Sequence, residues 1–427
     1  MDIYVVRQGD TLFTISRSFG VTMARLIADN GLTDPSRLVV GQALVIRKPR
    51  QIYTVRAGDT LSSISRRTGV SVRQLRRNNP ALEGGSRIWP GQTLVLAYED
   101  SPTEPLTVNA YAYPFIDKGL LQRTLPFLSY LTPFTYGITE EGGLVVPDDE
   151  PLIRAAHAGG TAALMHLSTL TREGGFSNEL AHLVLTDGDI QDALVGNVLD
   201  TLNKKGYQGL DVDFEYVFPE DGPAYAAFIA RLHRALAPLG LPVVVALAPK
   251  TSAQQRGLLY EAHDYAALGA AADQVFLMTY EWGYTYSEPM AVAPLPNVRR
   301  VVEYALTEIP AEKIWLGIPN YGYSWPLPTD PGVTKATSIS NQYAVELARK
   351  YGADIQFDET AQSPWFRYRD EDGKEHEVWF EDARSIRAKL GLIREYGLSG
   401  AGYWNLDRPF PQNWVVLNAM ADIRSEM

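Results

Sequence analysis

The chain has no cysteine among its 427 residues, which excludes disulfides and thiolate metal sites and leaves packing alone to stabilise the fold. No uninterrupted apolar run approaches the ~20 residues that a membrane helix needs, so no membrane span is expected. Met1-Asp2-Ile3-Tyr4 offers neither a basic n-region nor an apolar h-region, so no ordinary signal peptide is expected. Dense basic clusters are also missing. Arg66–Arg67 and Arg76–Arg77 are isolated pairs, which argues against a nucleic-acid partner.

Other features are well supplied. Apolar residues at 45% and charged residues at 21% are ordinary globular values, and the length allows one large domain with smaller ones beside it. Twenty-three Tyr and eight Trp exceed what a core needs. Most will pack internally, but flat amphipathic rings are also what stacks on sugar faces. The net charge of −11 divides unevenly: residues 1–100 carry a balance of +6 and the remainder −17. A mildly basic front joined to an acidic body points to two functional units, the front suited to an anionic polymer.

The front is a repeat. Tyr4-Val-Val-Arg-Gln-Gly9-Asp10-Thr11-Leu12 returns as Tyr53-Thr-Val-Arg-Ala-Gly58-Asp59-Thr60-Leu61. Ile15-Ser16, Asn30 and Gly41-Gln42 return as Ile64-Ser65, Asn79 and Gly91-Gln92. Each unit reads as strand, helix, helix, strand: Tyr-x-Val alternates, Asp or Thr can cap a helix, and Leu12, Ile15 and Phe19 keep helical spacing. This signature resembles a tandem pair of LysM modules, at 3–48 and 52–97. The resemblance implies binding of N-acetylglucosamine-containing glycans, with Gly9, Asp10 and Thr11 and their counterparts Gly58, Asp59 and Thr60 bordering the groove. The same triplet is needed to build the turn whether or not a sugar binds.

Residues 98–106 are acidic and proline-bearing and read as a linker. Beyond them, from 107 to 427, apolar runs of strand length alternate with helical patterns. Strands are expected at 107–112, 133–137, 162–167, 209–215, 243–248, 274–280, 314–319 and 400–404. Helices are expected at 189–205, 224–236 and 297–308. Eight such strands predict an α/β fold, a closed (β/α)8 TIM barrel; an open doubly wound sheet would want a Gly-rich phosphate turn that is missing. The long interval before the last strand predicts a small α+β insertion at about 327–380, with a hairpin around Glu371-Asp-Gly373.

The segment Gln208-Gly-Leu-Asp211-Val-Asp213-Phe-Glu215 is the most informative one. Residues two apart on a strand share a face, so Asp211, Asp213 and Glu215 should point together into the barrel, with Glu215 highest, at the C-terminal rim. Buried acids in a ladder must share protons, and a carboxyl kept protonated is what a glycosidic leaving group needs. A divalent-metal site would want a further carboxylate or His from neighbouring strands. Only His166 lies at a strand end, so neither a metal nor any other cofactor is expected.

At these residues the chain resembles the family 18 glycoside hydrolases. The ladder matches their Asp-Gly-x-Asp-x-Asp-x-Glu, Met278-Thr-Tyr280-Glu281 their Met-x-Tyr-Asp, Gly317-Ile-Pro-Asn-Tyr-Gly-Tyr-Ser-Trp325 their strand-seven motif, and Trp404 their terminal Trp. The family implies a retaining, substrate-assisted mechanism: Glu215 as acid, Asp213 orienting the substrate acetamide, Asp211 sharing a proton beneath it, Tyr280 bonding the acetamide oxygen, and Trp404 flooring the sugar. Further sugar contacts implied are Tyr111, Glu281, Trp282, Asn320 and Tyr321. Gln208 and Glu281 depart from the motifs, and His166-Leu-Ser168 replaces the Ser-x-Gly-Gly of chitinases.

Tandem LysM modules joined to such a barrel resemble the spore cortex fragment-lytic N-acetylglucosaminidases of endospore-forming bacteria. That resemblance implies a monomer acting on peptidoglycan at the spore coat or cortex during germination, with an extracellular or cell-wall site as the alternative. The competing functions are a chitinase or endo-β-N-acetylglucosaminidase, and a non-catalytic glycan-binding relative, which would typically lack the acid at the Glu215 position.

Overall fold

The computed structural model describes residues 1–100, 102, 104–171 and 174–427. In the first module, strands Asp2–Val5 and Ala43–Ile46 pair antiparallel around helices Leu12–Phe19 and Met23–Asn30. Thr11 begins the first helix: its Oγ1 accepts from the Thr14 amide at 3.1 Å, and the Thr14 hydroxyl oxygen accepts from the Thr11 amide at 3.0 Å. Gly20, at φ +70°, ends it in the left-handed conformation that only glycine adopts freely. Leu12, Ile15, Leu26, Leu44 and Ile46 form the small core. The second module repeats the plan with strands Pro49–Thr54 and Thr93–Tyr98 and helices Leu61–Thr68 and Val72–Asn78, and adds a 3₁₀ turn at Pro80–Leu82.

The second module's last strand runs to Tyr98 and the first barrel strand begins at Pro105, so the expected linker is shorter than 98–106. Residues 101 and 103 of it lie outside the described residues. Eight parallel strands then close a barrel. The first is Pro105–Ala112 and the second Tyr130–Pro133; the third comes in two pieces, Ala162–Ala163 and Met165–Ser168. Leu210–Asp213, Val243–Leu247, Gln274–Leu277, Ile314–Pro319 and Gly400–Trp404 follow. The two pieces of strand three close the ring, the first pairing with strand two and the second with strand four.

One expected strand is misplaced. The second runs at Tyr130–Pro133, not 133–137, because Asn109 to Ala112 pair with Tyr130 to Pro133. Pro133 has no N–H to continue the ladder. The expected helices appear at Gly188–Lys205, Gly222–Leu236 and Leu295–Glu308.

The insertion is a five-stranded antiparallel sheet with helix Asn341–Tyr351 on it. It starts earlier than expected, with strand Gly322–Pro326, and the hairpin Ser363–Arg369/Glu375–Trp379 turns where the sequence indicated.

The modules do not hang on a tether. Arg73 donates to the carbonyls of Pro126 (2.9 Å), Gly160 (2.9 Å) and Leu128, and Arg77 donates to Pro126 at 2.6 Å. From the C-terminal helix Pro411–Met420, Gln412 donates to Asn30 Oδ1 (3.0 Å) and the Ala43 carbonyl (2.7 Å), and Asn418 to Asn78 Oδ1 (3.1 Å). That helix is buried nearly all round, wedged between the barrel and both modules. Gly41 lies so close to the insertion that a Cβ there would stand 1.8 Å from the Ile355 carbonyl oxygen, whereas its repeat counterpart Gly91 faces open space.

Candidate active site

Strand four places the acids as its alternation predicts. Leu210, Val212 and Phe214 are fully buried against the surrounding helices, and Asp211 and Asp213 are buried on the opposite, inward face. Pairing stops at Asp213, so Glu215 stands two residues past the strand, half-buried at the rim. The segment is pinned there by a histidine from beyond strand five. His263 Nδ1 accepts from the Ala248 amide at 2.9 Å, which leaves its Nε2 to donate to the Phe214 carbonyl at 3.0 Å.

These carboxyls hold their protons tightly. Burial pushes Asp211 up to about 7, with the Tyr111 hydroxyl offsetting part of the shift. Burial and then the neighbouring Asp211 raise Asp213; burial, Asp213 and Glu281 raise Glu215. The Tyr111 hydroxyl faces Asp211, but no hydrogen bond of normal geometry closes on that hydroxyl, on either oxygen of Asp211 or on Oδ1 of Asp213. Unpartnered polarity of this kind is costly and marks a place that awaits a ligand or shares a proton.

Above the ladder lies a cavity of about 240 Å³ lined by Asp213, Glu215, Tyr280 and Glu281, with Tyr111, Phe134 and Trp404 on one side and Phe176 and Tyr260 on the other. Trp404 stands in an aromatic nest, its ring centroid 4.9 Å from Phe134 and 5.6 Å from Tyr111. The site is therefore a small acid-floored cleft with ring walls, a shape suited to a pyranose.

The structure gathers Glu215, Asp213, Tyr280, Tyr111, Glu281 and Trp404 around this cavity, with Asp211 directly beneath. Three other candidates fall elsewhere. Glu281 has φ +62°, and the turn carries Trp282 away to a separate surface cleft with Thr251, Arg300 and Tyr304. Asn320 spends its amide on the Asn405 (2.7 Å) and Arg408 (2.8 Å) carbonyls, bracing the loop after strand eight. Tyr321 is buried behind Glu281 and donates its hydroxyl to that carboxylate, as Tyr323 does at 3.2 Å. Burial raises the Glu281 carboxyl and these two hydroxyls hold it back.

In the modules, Gly9 and Gly58 turn the chain at φ +85° and +83°. Asp10 accepts from the Tyr4 hydroxyl (2.7 Å) and the Arg7 amide (2.7 Å); Asp59 does the same with Tyr53 (2.8 Å) and Arg56 (2.8 Å). Thr11 and Thr60 cap helices. All six residues are engaged in building the turn.

Sequence reasoning missed Thr135, Phe134, Phe176, Tyr260 and His263, and weighed His166 only as a metal ligand. Of these only His166 carried a signal, an inward position in the alternating run Met165–Ser168.

Residues 163–408 match the family described as Glycosyl hydrolases family 18, and residues 4–47 and 53–97 each match the LysM domain. The chain is 43% identical over 424 residues to the cortical fragment-lytic enzyme of Bacillus subtilis (strain 168), covering 98% of this chain and 97% of that one. The crystal structure of the Bacillus cereus spore cortex-lytic enzyme SleL matches with a TM-score of 0.84 at 38% identity, covering 99% of this chain and 98% of that chain. A chitinase from Chromobacterium violaceum matches with a TM-score of 0.69 at 29% identity, over 74% of this chain and 98% of that one. The chain belongs to family 18 of the glycosyl hydrolases, a glycoside hydrolase that carries two LysM domains ahead of its barrel.

Proposed function

We propose that this hydrolase is an N-acetylglucosaminidase that cleaves spore cortex peptidoglycan fragments during germination, by a retaining mechanism in which the substrate's own acetamide is the nucleophile. The observation that carries the reading is the vertical arrangement of the acids. Asp213 lies beneath Glu215 on the same strand face, not across the cleft from it, and Glu281 is engaged by two tyrosine hydroxyls. A two-carboxylate retaining enzyme needs its pair about 5–5.5 Å apart on either side of the scissile bond.

Glu215, held protonated by its surroundings, gives its proton to the glycosidic oxygen. The acetamide carbonyl oxygen attacks the anomeric carbon as the leaving sugar departs, forming a cyclic oxazolinium ion. Asp213 accepts the acetamide N–H and stabilises the positive charge, while Asp211 keeps the shared proton. Tyr280 donates to the acetamide region, and Trp404 with Tyr111 shapes one wall of the cleft. Glu215, now a carboxylate, takes a proton from water, whose oxygen attacks the anomeric carbon and restores the acetamide. The LysM domains hold the glycan polymer near the cleft, and the likeness to spore cortex-lytic enzymes supports action at the spore cortex and coat.

Whole-chain likeness to an enzyme named for cortical fragments, over 98% of this chain, supports this substrate over chitin, since the likeness to the chitinase covers 74% of it. Glu215→Gln is expected to lower release of reducing ends from soluble cortex fragments by about 10²–10⁴-fold, the usual worth of a general acid. Binding to insoluble cortex should persist; near-wild-type hydrolysis would sink the mechanism. Mass spectrometry of the products should find N-acetylglucosamine at the new reducing ends, and muramic acid there would overturn the bond assignment.

A further inference from the structure

His166 is a buried imidazole that the reaction as described leaves without a task. It sits on strand three in register with Asp211, 1% exposed, between the rings of Tyr111 (5.6 Å) and Phe134 (4.8 Å). A ring filling that space by packing alone needs no polar atoms. Both of its nitrogens are nevertheless placed. Nδ1 lies 2.6 Å from Thr135 Oγ1, and Nε2 lies 3.7 Å from Asp213 Oδ2 and 4.0 Å from Asp211 Oδ2.

The Thr135 hydroxyl has two acceptors in reach, His166 Nδ1 at 2.6 Å and the Tyr136 carbonyl at 3.2 Å, and the shorter contact points its proton at the ring. A separation of 2.6 Å fits an O–H donor better than a ring N–H donor, whose bonds to oxygen centre near 2.9 Å. Ser168 Oγ, 2.9 Å from Thr135 Oγ1, can supply the hydrogen bond that Thr135 then accepts. The resulting chain runs Ser168 O–H to Thr135 O–H to Nδ1, so the ring's single proton stays on Nε2 and faces the aspartates. Burial lowers the imidazole pKa to about 3, so the ring is neutral and offers this one N–H.

The other titratable groups around this point are Asp211 and Asp213 on strand four, Tyr111 on strand one, and Tyr280 and Glu215 higher in the cleft. Both Asp211 oxygens, Asp213 Oδ1 and the Tyr111 hydroxyl make no hydrogen bond of normal geometry. His166 Nε2 faces both aspartates, at 3.7 Å from Asp213 and 4.0 Å from Asp211, just outside hydrogen-bond distance.

We propose that His166 is a positioning residue of the hydrolytic reaction: its Nε2–H, oriented by Thr135 and Ser168, closes onto Asp213 or Asp211 and decides which of the two is the carboxylate. This rests on the reading of Asp213 as the acetamide's partner. When the acetamide N–H arrives, Asp213 must accept it as an anion, so the pair's proton is left on Asp211. The imidazole supplies a hydrogen bond and gives up no proton of its own.

The test uses the full chain and three substitutions. His166→Phe keeps a ring and removes both nitrogens. His166→Asn keeps a polar group near Nδ1 and loses the reach to the aspartates, while His166→Gln places an amide N–H near the Nε2 position. Losing a donor to a carboxylate makes that carboxylate harder to form, so the acidic limb of kcat/KM on soluble cortex fragments should move up by about one pH unit or more in His166→Phe and His166→Asn. His166→Gln should move it back toward wild type. The same order should appear in the pH titration of ¹³C-labelled aspartate carboxyl resonances, which needs no activity.

Limbs and resonances that coincide with wild type in His166→Asn overturn the proposal, as does His166→Gln behaving like His166→Phe. If His166→Phe fails to fold, the Asn and Gln variants decide alone. Failure here with Glu215→Gln inactive overturns only the role of His166. An active Glu215→Gln overturns the mechanism on which it rests.

Discussion

At the floor of the barrel, Asp211, Asp213 and Tyr111 are buried with polar atoms that no hydrogen bond of normal geometry satisfies. Along the seam where the modules and the insertion meet the barrel, charge is buried as deeply, but its arginines and its buried lysine are matched, with Asp29 Oδ1 an exception. Arg73 and Arg77 are fitted to the carbonyls of Pro126, Leu128 and Gly160. Lys389 sits 2.8 and 3.1 Å from the two carboxylate oxygens of Glu381, at 0% and 1% exposure. One region holds its polar groups in reserve for a substrate and tolerates the cost; the other spends them on geometry. Burial of charge is thus no guide to function by itself. Whether the buried charge has a partner is the discriminating fact.

The largest expected effect lies at the seam. Lys389→Met removes the ammonium and leaves the Glu381 carboxylate alone in a dry interior. Breaking a buried pair from one side costs about 3–5 kcal/mol. Thermal unfolding should shift down by roughly 1 °C per kcal/mol for a chain of this length. Activity of the surviving folded enzyme at low temperature should be near normal. If the melting temperature does not move, the seam's charges are not matched in the sense argued and the contrast with the barrel floor collapses.

Arg77→Met is the intermediate case. Burial lowers the Arg77 pKa to about 9, yet its Nε still donates to Pro126. Leaving that carbonyl with one donor fewer should cost about 1–3 kcal/mol, read as a shift in the urea midpoint. The aligned position on the first module's second helix, Met23–Asn30, is Ala28, which has no side-chain donor. There the donors come from the barrel and the insertion instead: Gln412 to the Ala43 carbonyl at 2.7 Å, Arg349 to the Arg37 carbonyl at 2.9 Å and the Ile355 amide to the Val40 carbonyl at 2.9 Å. The two copies of one motif are therefore attached by different chemistry, and an undiminished midpoint in Arg77→Met would mean that the second module is held by packing instead.

The difference between the regions also explains what could be read from the sequence. The ladder was legible because a strand's period of two converts Asp211-x-Asp213-x-Glu215 directly into one face. The repeat was legible because Gly-Asp-Thr builds the same capped turn twice. The seam was not, because Arg73 and Arg77 look like any solvated basic residues of a helix until the barrel's carbonyls are placed beside them. Trp282 and Asn320 misled for a related reason: proximity in sequence to Glu281 and to strand seven says nothing about the left-handed turn at Glu281, or about the loop that Asn320 holds. His166 was visible as an inward strand residue, but its meaning depends on Thr135 and Asp213, both distant in the chain.

The effect at the floor appears only as a pH dependence and has the opposite sign. Asp211 holds its proton up to about pH 7 in the folded protein, because burial disfavours its charge, against an ordinary value of 3.8. Between those limits the folded state binds a proton that the unfolded chain has released, so this group's contribution to stability is fully present below about pH 4 and is lost as the pH rises through about 7. Asp211→Asn cannot ionise and escapes that loss. Its melting temperature relative to wild type should therefore climb by a few degrees between pH 4 and pH 8, while hydrolysis falls because Asp213 has lost the partner that takes up its proton. A gap that stays constant with pH would show that Asp211 is satisfied in the way the seam is. The reserve of unpaired polarity would then have to be assigned to Asp213 alone.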